Sequence, residues 1–126
     1  MIYGIGTDIV RIARVEAGLA RFGDAYARRI LSAPEWRDYT QSSRPAALLA
    51  KRFAAKEAAA KALGTGMRAP VTLRAMGVEH APSGAPRLVF HGALHEWVRG
   101  QGVGEWHLSL ADERDHAVAF VVMTRK

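Results

Sequence analysis

Three sets of polar side chains stand where chemistry is the first question. Asp8 follows the glycine-rich run Gly4-Ile5-Gly6-Thr7. Glu57 and Lys61 lie four residues apart in the Ala-rich run Arg52 to Gly66, so on a helix they share a face one turn from each other. His107 stands two residues before Ser109, which puts both on one face of a strand. Two carboxylates are hard oxygen ligands of the kind magnesium takes, one or two at a time, beside phosphate and water. A lysine adds a point charge for a phosphate oxygen. The turn Gly64-Thr65-Gly66 offers backbone N–H groups of the sort that meet an anion. Together these groups suit a metal-bound diphosphate. Each also has a plain structural reading. Asp8 would cap the following helix. Glu57 and Lys61 would be a solvated pair worth about 0.3–0.5 kcal/mol. His107 and Ser109 would be the wet side of a half-buried strand.

The elements that must hold these groups follow from local chemistry. Ala, Leu, Lys, Arg and Glu dominate residues 45–63, Pro45 stands near the start and Gly64 just past the end, so a helix is expected from about Pro45 to Leu63. Residues 2–10 form a strand with Ile5, Thr7 and Ile9 on one face and Gly4, Gly6 and Asp8 on the other. Glycines on that second face admit the close approach of another element or a ligand. The Gly-x-Gly lacks the rest of a dinucleotide fingerprint and is a weak phosphate signal.

Residues 12–31 are helical, broken at Gly23-Asp24, with Val15, Leu19, Phe22, Tyr26 and Ile30 inward. Arg14, Arg21 and Arg28 recur every seven residues beside that face. They form either a solvated stripe or a dock for an acidic helix. Ser32-Ala33-Pro34-Glu35 is a capping box opening a short helix with Trp36 and Tyr39. The second half reads as strands at 72–80 and 87–91, a short helix at 93–99, and a closing hairpin whose last strand, Ala117 to Met123, is apolar enough to be central. Helices and strands interleave without regular βαβ alternation. The expected class is α+β, with a mainly antiparallel sheet packed against the long central helix.

The chain has 126 residues and no repeat or linker, so residues 1–126 form one domain. Hydrophobic residues make up 49%, enough for a core. The absence of Cys excludes thiolate metal sites and a Cys nucleophile. No apolar run reaches membrane-spanning length and no secretory leader pattern opens the chain, so no membrane contact and a cytoplasmic location are expected. The net charge is +6, and fourteen of the eighteen basic residues are Arg, which favours bidentate contact with phosphate or carboxylate. An anionic partner follows. Nucleic acid is the weaker choice: no helix-turn-helix, zinc-finger or RNA-binding signature is present, and the aromatics are not interleaved with the basic residues. A trimer whose carboxylates are only caps and surface pairs is the other competing reading.

Three motifs in order, Gly4-Ile5-Gly6-Thr7-Asp8-Ile9-Val10, then Arg52-Phe53-Ala54-Ala55-Lys56-Glu57-Ala58 with Lys61-Ala62-Leu63-Gly64-Thr65-Gly66, then His107-Leu108-Ser109-Leu110, closely resemble the holo-[acyl-carrier-protein] synthase family. These are the short, single-domain 4′-phosphopantetheinyl transferases, and the resemblance runs from Met1 to about Met123. It implies that family's fold and its transfer of 4′-phosphopantetheine from coenzyme A to a serine of apo-acyl carrier protein, in support of fatty acid biosynthesis. It implies magnesium bridging Asp8, Glu57 and the diphosphate, with Asp8, Glu57 and Lys61 as catalytic residues and Glu57, or a water it holds, accepting the serine proton. It implies coenzyme A contacts from Arg52, Lys61, Gly64, His107 and Ser109. It further implies a homotrimer with coenzyme A between subunits and a carrier-protein dock on Arg14, Arg21 and Arg28. Where some members carry Ser-His after the late strand, this chain has Ala111-Asp112.

Overall fold

A computed structural model describes all 126 residues. Strand β1 (Ile2–Arg11) leads into helices α1 (Ile12–Phe22) and α2 (Asp24–Ile30), a short turn of 3-10 helix (Ala33–Glu35), α3 (Trp36–Gln41) and the long α4 (Pro45–Leu63). A second 3-10 turn (Leu73–Ala75) precedes the hairpin β2 (Met76–His80) and β3 (Pro86–Phe90). Helix α5 (Ala93–Gly100) and the hairpin β4 (Val103–Asp112) and β5 (His116–Arg125) complete the chain. The main sheet runs β1-β5-β4 and every strand pair is antiparallel. The expected α+β class and central apolar strand both hold. The 72–80 strand starts later than expected, at Met76, because Leu73–Ala75 curls into a helical turn. No helix is long and apolar enough to cross a membrane.

Helix α4 packs across the inner face of this sheet against β1 and β5. Two glycines make that possible. A Cβ on Gly4 would collide with the Ala62 carbonyl, and one on Gly6 with the Ala58 carbonyl and, at 2.8 Å, the Ala62 nitrogen. Backbone therefore lies directly on backbone, and Asp8, next on the same face of β1, is carried toward α4. Opposite on β5, Ala117, Ala119, Val121 and Met123 are fully buried, which closes the core beneath the helix.

The sheet's outer face is different. Ile5, Ile9, Val118 and Phe120 are exposed at 59%, 64%, 37% and 43%, a contiguous apolar surface across β1 and β5. Chain direction changes at Gly23, whose positive φ of 61° ends α1 and starts α2. Of the five residues expected inward there, Val15 and Ile30 are buried, while Phe22 is 51% exposed with the Arg21 guanidinium 5.1 Å from its ring centre.

Candidate active site

The face shared by β1 and α4 brings Asp8, Glu57 and Lys61 together. The Lys61 ammonium donates to the Thr7 carbonyl at 2.9 Å and lies 3.3 Å from Asp8 Oδ1. Glu57 sits one turn back on the same face of α4. Burial, followed by the negative charge of Asp8, pushes the Glu57 carboxyl above its ordinary value; Lys61 and Arg14 oppose that shift. Asp8, Phe53, Glu57 and Arg14 line a recess of about 230 Å³, with Ile9 and Val10 completing its wall. Asp8 does not cap the next helix: α1 begins at Ile12, its N-cap position is Arg11, and no side chain caps it. The plain reading of Glu57 and Lys61 as a surface pair also fails, because Lys61 turns to β1.

Asp8 and Glu57 are oxygen donors of the kind a hard divalent ion takes. The two carboxylates are half-buried and repel one another, and a hard cation between them would relieve that repulsion. No cluster of three or more His, Asp and Glu side chains exists, so protein ligands alone would not fill a coordination sphere.

Other expected residues lie elsewhere. His107 and Ser109 on β4 face outward, beside Val122 and Phe120 of β5, on the opposite side of the sheet from Asp8 and Glu57. His107 is exposed and its Nε2 lies 3.9 Å from Glu105. Within one chain these two residues do not join the carboxylate pair.

Gly64 requires a correction as an anion contact. Its N–H donates to the Lys61 carbonyl at 3.0 Å, and those of Thr65 and Gly66 turn back to the Ala60 carbonyl at 3.3 Å. The turn satisfies the orphan carbonyls of the helix end, with Gly64 at a φ of 80°, and leaves no open nest.

Arg52 meets a similar limit as a phosphate contact. Only 3% exposed, it donates to Glu35 Oε2 at 3.0 Å and to Asp38 Oδ2 at 3.4 Å, so its charge is already committed. Arg14 and Arg21 are exposed on α1, and Arg14 reaches the neighbourhood of Glu57. Arg28, expected in the same stripe, is also exposed. It belongs to α2 beyond the Gly23 break and stacks over Trp36 at 3.9 Å.

Two features escaped sequence reasoning. Glu35 does more than close its capping box. Its carboxylate accepts from the Ser32 N–H at 2.8 Å and the Val78 N–H at 3.0 Å, and pairs with Lys56 at 2.6 Å as well as with Arg52. Lys56 is fully buried and also donates to the Ile30 carbonyl at 2.6 Å. Burial alone would raise the Glu35 carboxyl, but the charge and hydrogen bond of Lys56, the Ser32 N–H and the Arg52 charge outweigh it and hold Glu35 below its ordinary value. The other feature is a cleft of about 450 Å³ lined by Arg44, Lys51, Arg52, His80 and Asp112 among others. Asp112, at the departure from the family pattern, pairs with Lys51 at 3.4 Å and Arg44 at 3.8 Å. No spacing rule links residues so far apart in sequence.

Comparison with known proteins gives a consistent result. Residues 4–121 match the model of the 4′-phosphopantetheinyl transferase superfamily. The holo-[acyl-carrier-protein] synthase of Nitrosospira multiformis is 50% identical over 99% of this chain and 100% of its own. The crystal structure of the synthase of that name from Neisseria meningitidis superposes with a TM-score of 0.96 at 46% identity, covering 99% of this chain and 100% of its own. The holo-(acyl-carrier-protein) synthase of Bacillus anthracis, solved in complex with CoA (3′,5′-ADP), gives a TM-score of 0.83 at 34% identity and covers 100% of this chain and 99% of its own.

Proposed function

The chain belongs to the 4′-phosphopantetheinyl transferase superfamily, and from that premise we propose how its residues carry the transfer of 4′-phosphopantetheine from coenzyme A to a serine of apo-acyl carrier protein. The observation that supports the assignment of roles is the meeting of Asp8, Glu57 and Lys61 across β1 and α4.

The serine oxygen bonds to the β-phosphorus of coenzyme A. The bridging P–O bond breaks, and adenosine 3′,5′-bisphosphate leaves with the electron pair. Glu57, directly or through a water it holds, takes the serine proton. Asp8 and Glu57 would hold a divalent ion, magnesium by their oxygen donors, and that ion would supply positive charge to offset the charge of the diphosphate. Lys61, anchored by the Thr7 carbonyl and Asp8, keeps one N–H free for a phosphate oxygen. Arg14 and Arg21 stand exposed beside the recess to receive an acidic carrier protein.

His107 and Ser109 act from a neighbouring copy in this reading. Their strand face adjoins the exposed apolar surface of Ile5, Ile9, Val118 and Phe120, which a homotrimer would cover. The reaction keeps the cytoplasmic setting expected from the sequence.

The direct test incubates the protein with coenzyme A, magnesium and an apo-acyl carrier protein, and weighs the carrier by mass spectrometry. The added phosphopantetheine, with one adenosine 3′,5′-bisphosphate released per transfer, is expected. An unchanged carrier mass at full substrate would overturn the reading. Sedimentation of the free protein should give three times the chain mass; a monomer at micromolar concentration would remove the role given to His107 and Ser109.

A further inference from the structure

Between Phe53 and Leu63, every buried side chain of α4 other than Lys56 is alanine. That stretch lies directly against the glycines of β1. Such a contact sets how near the helix comes. It offers no bulky ridge to resist sliding along the helix axis or turning about it, because ridge-into-groove packing needs side chains to form the ridges. Yet Glu57 faces Asp8 only in one setting: a shift by a single residue rotates its side chain by about 100° and moves it by about 1.5 Å.

The buried charges supply what the alanines lack. Glu35 is itself fixed by the Ser32 and Val78 N–H groups, which tie it to its capping box and to β2. From that fixed point it grips α4 at two places one turn apart, Arg52 at 3.0 Å and Lys56 at 2.6 Å. Lys56 adds a third point through the Ile30 carbonyl at the end of α2. Two anchors at i and i+4 on one side of a helix determine both its rotation and its axial position. Burial makes any other register costly, because it would leave a charge unpaired out of water.

We propose that Glu35, through Arg52 and Lys56, is a positioning residue that sets the register of α4 and thereby holds Glu57 opposite Asp8 for the divalent ion on coenzyme A. The proposal rests on the role given above to the two carboxylates. Glu35 touches neither substrate nor ion; it acts through the helix. Arg52 and Lys56, five residues and one residue before Glu57, thus have a defined part in the site without contacting its ligand.

The test separates register from stability. In the triple variant Glu35→Leu, Arg52→Leu, Lys56→Met the charges are replaced together by apolar groups of similar volume, an exchange buried ion clusters often tolerate without loss of stability. Coenzyme A binding is measured by calorimetry with and without magnesium, and transfer kinetics are measured alongside. The wild type should bind coenzyme A more tightly with magnesium. The variant should stay folded but melt below the wild type, because the Ser32 and Val78 N–H groups and the Ile30 carbonyl lose a partner. At temperatures where it is folded it should lose at least tenfold of that magnesium effect and of kcat and keep its KM for carrier protein within about twofold, since Arg14 and Arg21 lie on α1. A folded variant with the wild-type magnesium effect and kcat would overturn the proposal.

Should the triple variant fail to fold, Arg52→Lys decides. It keeps the charge beside Glu35 but loses the fork that also reaches Asp38. A three- to tenfold loss of the magnesium effect with unchanged carrier KM supports the register role, and no change contradicts it. A wild type whose coenzyme A binding ignores magnesium would instead refute the metal reading itself.

Discussion

Helix α4 carries two clusters of charge, and they are built to opposite rules. Glu35, Arg52 and Lys56 are almost wholly buried, and the Glu35 carboxylate is ringed by ammonium, guanidinium and two backbone N–H groups. Asp8, Glu57 and Lys61 lie half open, with two acids near one another and one lysine between β1 and the helix. The first cluster lowers the proton affinity of its acid and the second raises it. A charge that serves the fold is compensated on every side. A charge that serves a ligand is left short of partners, and the ligand completes it.

Breaking each cluster should therefore damage different things. Glu57→Ala should reduce transfer by about a thousandfold or more, the scale of several kcal/mol of lost transition-state stabilisation, with the melting temperature unchanged or higher, since alanine favours the helix. Lys56→Ala should act first on stability, with a smaller loss of transfer, about tenfold, from the helix register it helps to set. Leaving Glu35 without its closest partner costs about 3–5 kcal/mol, so the melting temperature should drop by roughly 10–20 °C. Paired melting curves and turnover rates check both at once. A Lys56→Ala as stable as the wild type or an unfolded Glu57→Ala would reverse the assignment of the clusters to fold and ligand.

A third change lies outside both clusters and sharpens the contrast. Arg14→Glu with Arg21→Glu should raise KM for carrier protein tenfold or more, while KM for coenzyme A moves less than threefold. Steady-state kinetics with each substrate varied in turn reads this directly, and equal effects on both would count against a dock on α1.

The smallest effect is in pH dependence, and its sign differs between the clusters. The Glu35 carboxyl is lowered in the folded protein, so its contribution to stability is present above the ordinary value of 4.5 and is lost as pH falls through the folded value. The Glu57 carboxyl is raised, so the folded state holds that proton more tightly than the unfolded chain, and stability declines as pH rises from 4.5 through the raised value. Glu57→Gln should thus melt higher than wild type at neutral pH, with the gain shrinking toward pH 4. Glu35→Gln should melt lower at neutral pH, with the deficit shrinking below pH 4.5. Melting scans from pH 3 to 8 would show the two differences converging from opposite sides, and parallel curves would contradict the contrast.

The elements were largely legible in the sequence because local chemistry sets them. Pro45 and Gly64 bracket α4 as expected, Gly23 breaks the first helical stretch, and the alternation along β4 turns His107 and Ser109 outward. The pairing of Glu57 with Lys61 on one face followed from helix geometry, and the placing of Gly4, Gly6 and Asp8 on one face followed from strand geometry.

What escaped reading depends on assembly. Ser32 to Glu35 announces a cap, but nothing in its spacing reveals that the same carboxylate reaches Arg52 and Lys56, seventeen and twenty-one residues on. Arg52 looks like a phosphate ligand until burial shows it spent on Glu35 and Asp38. The Gly64 turn looks like an anion nest until its N–H groups are followed back into the helix. Residue type tells which groups carry charge; only the packed fold tells which of them are already satisfied.

Crystals grown with coenzyme A and manganese, measured for manganese anomalous scattering, test the joint grip of the two acids most directly. A single peak at bonding distance from both the Asp8 and Glu57 carboxylates and from the diphosphate is predicted. A peak held by one acid alone, or none at that place while coenzyme A is bound, would contradict the account.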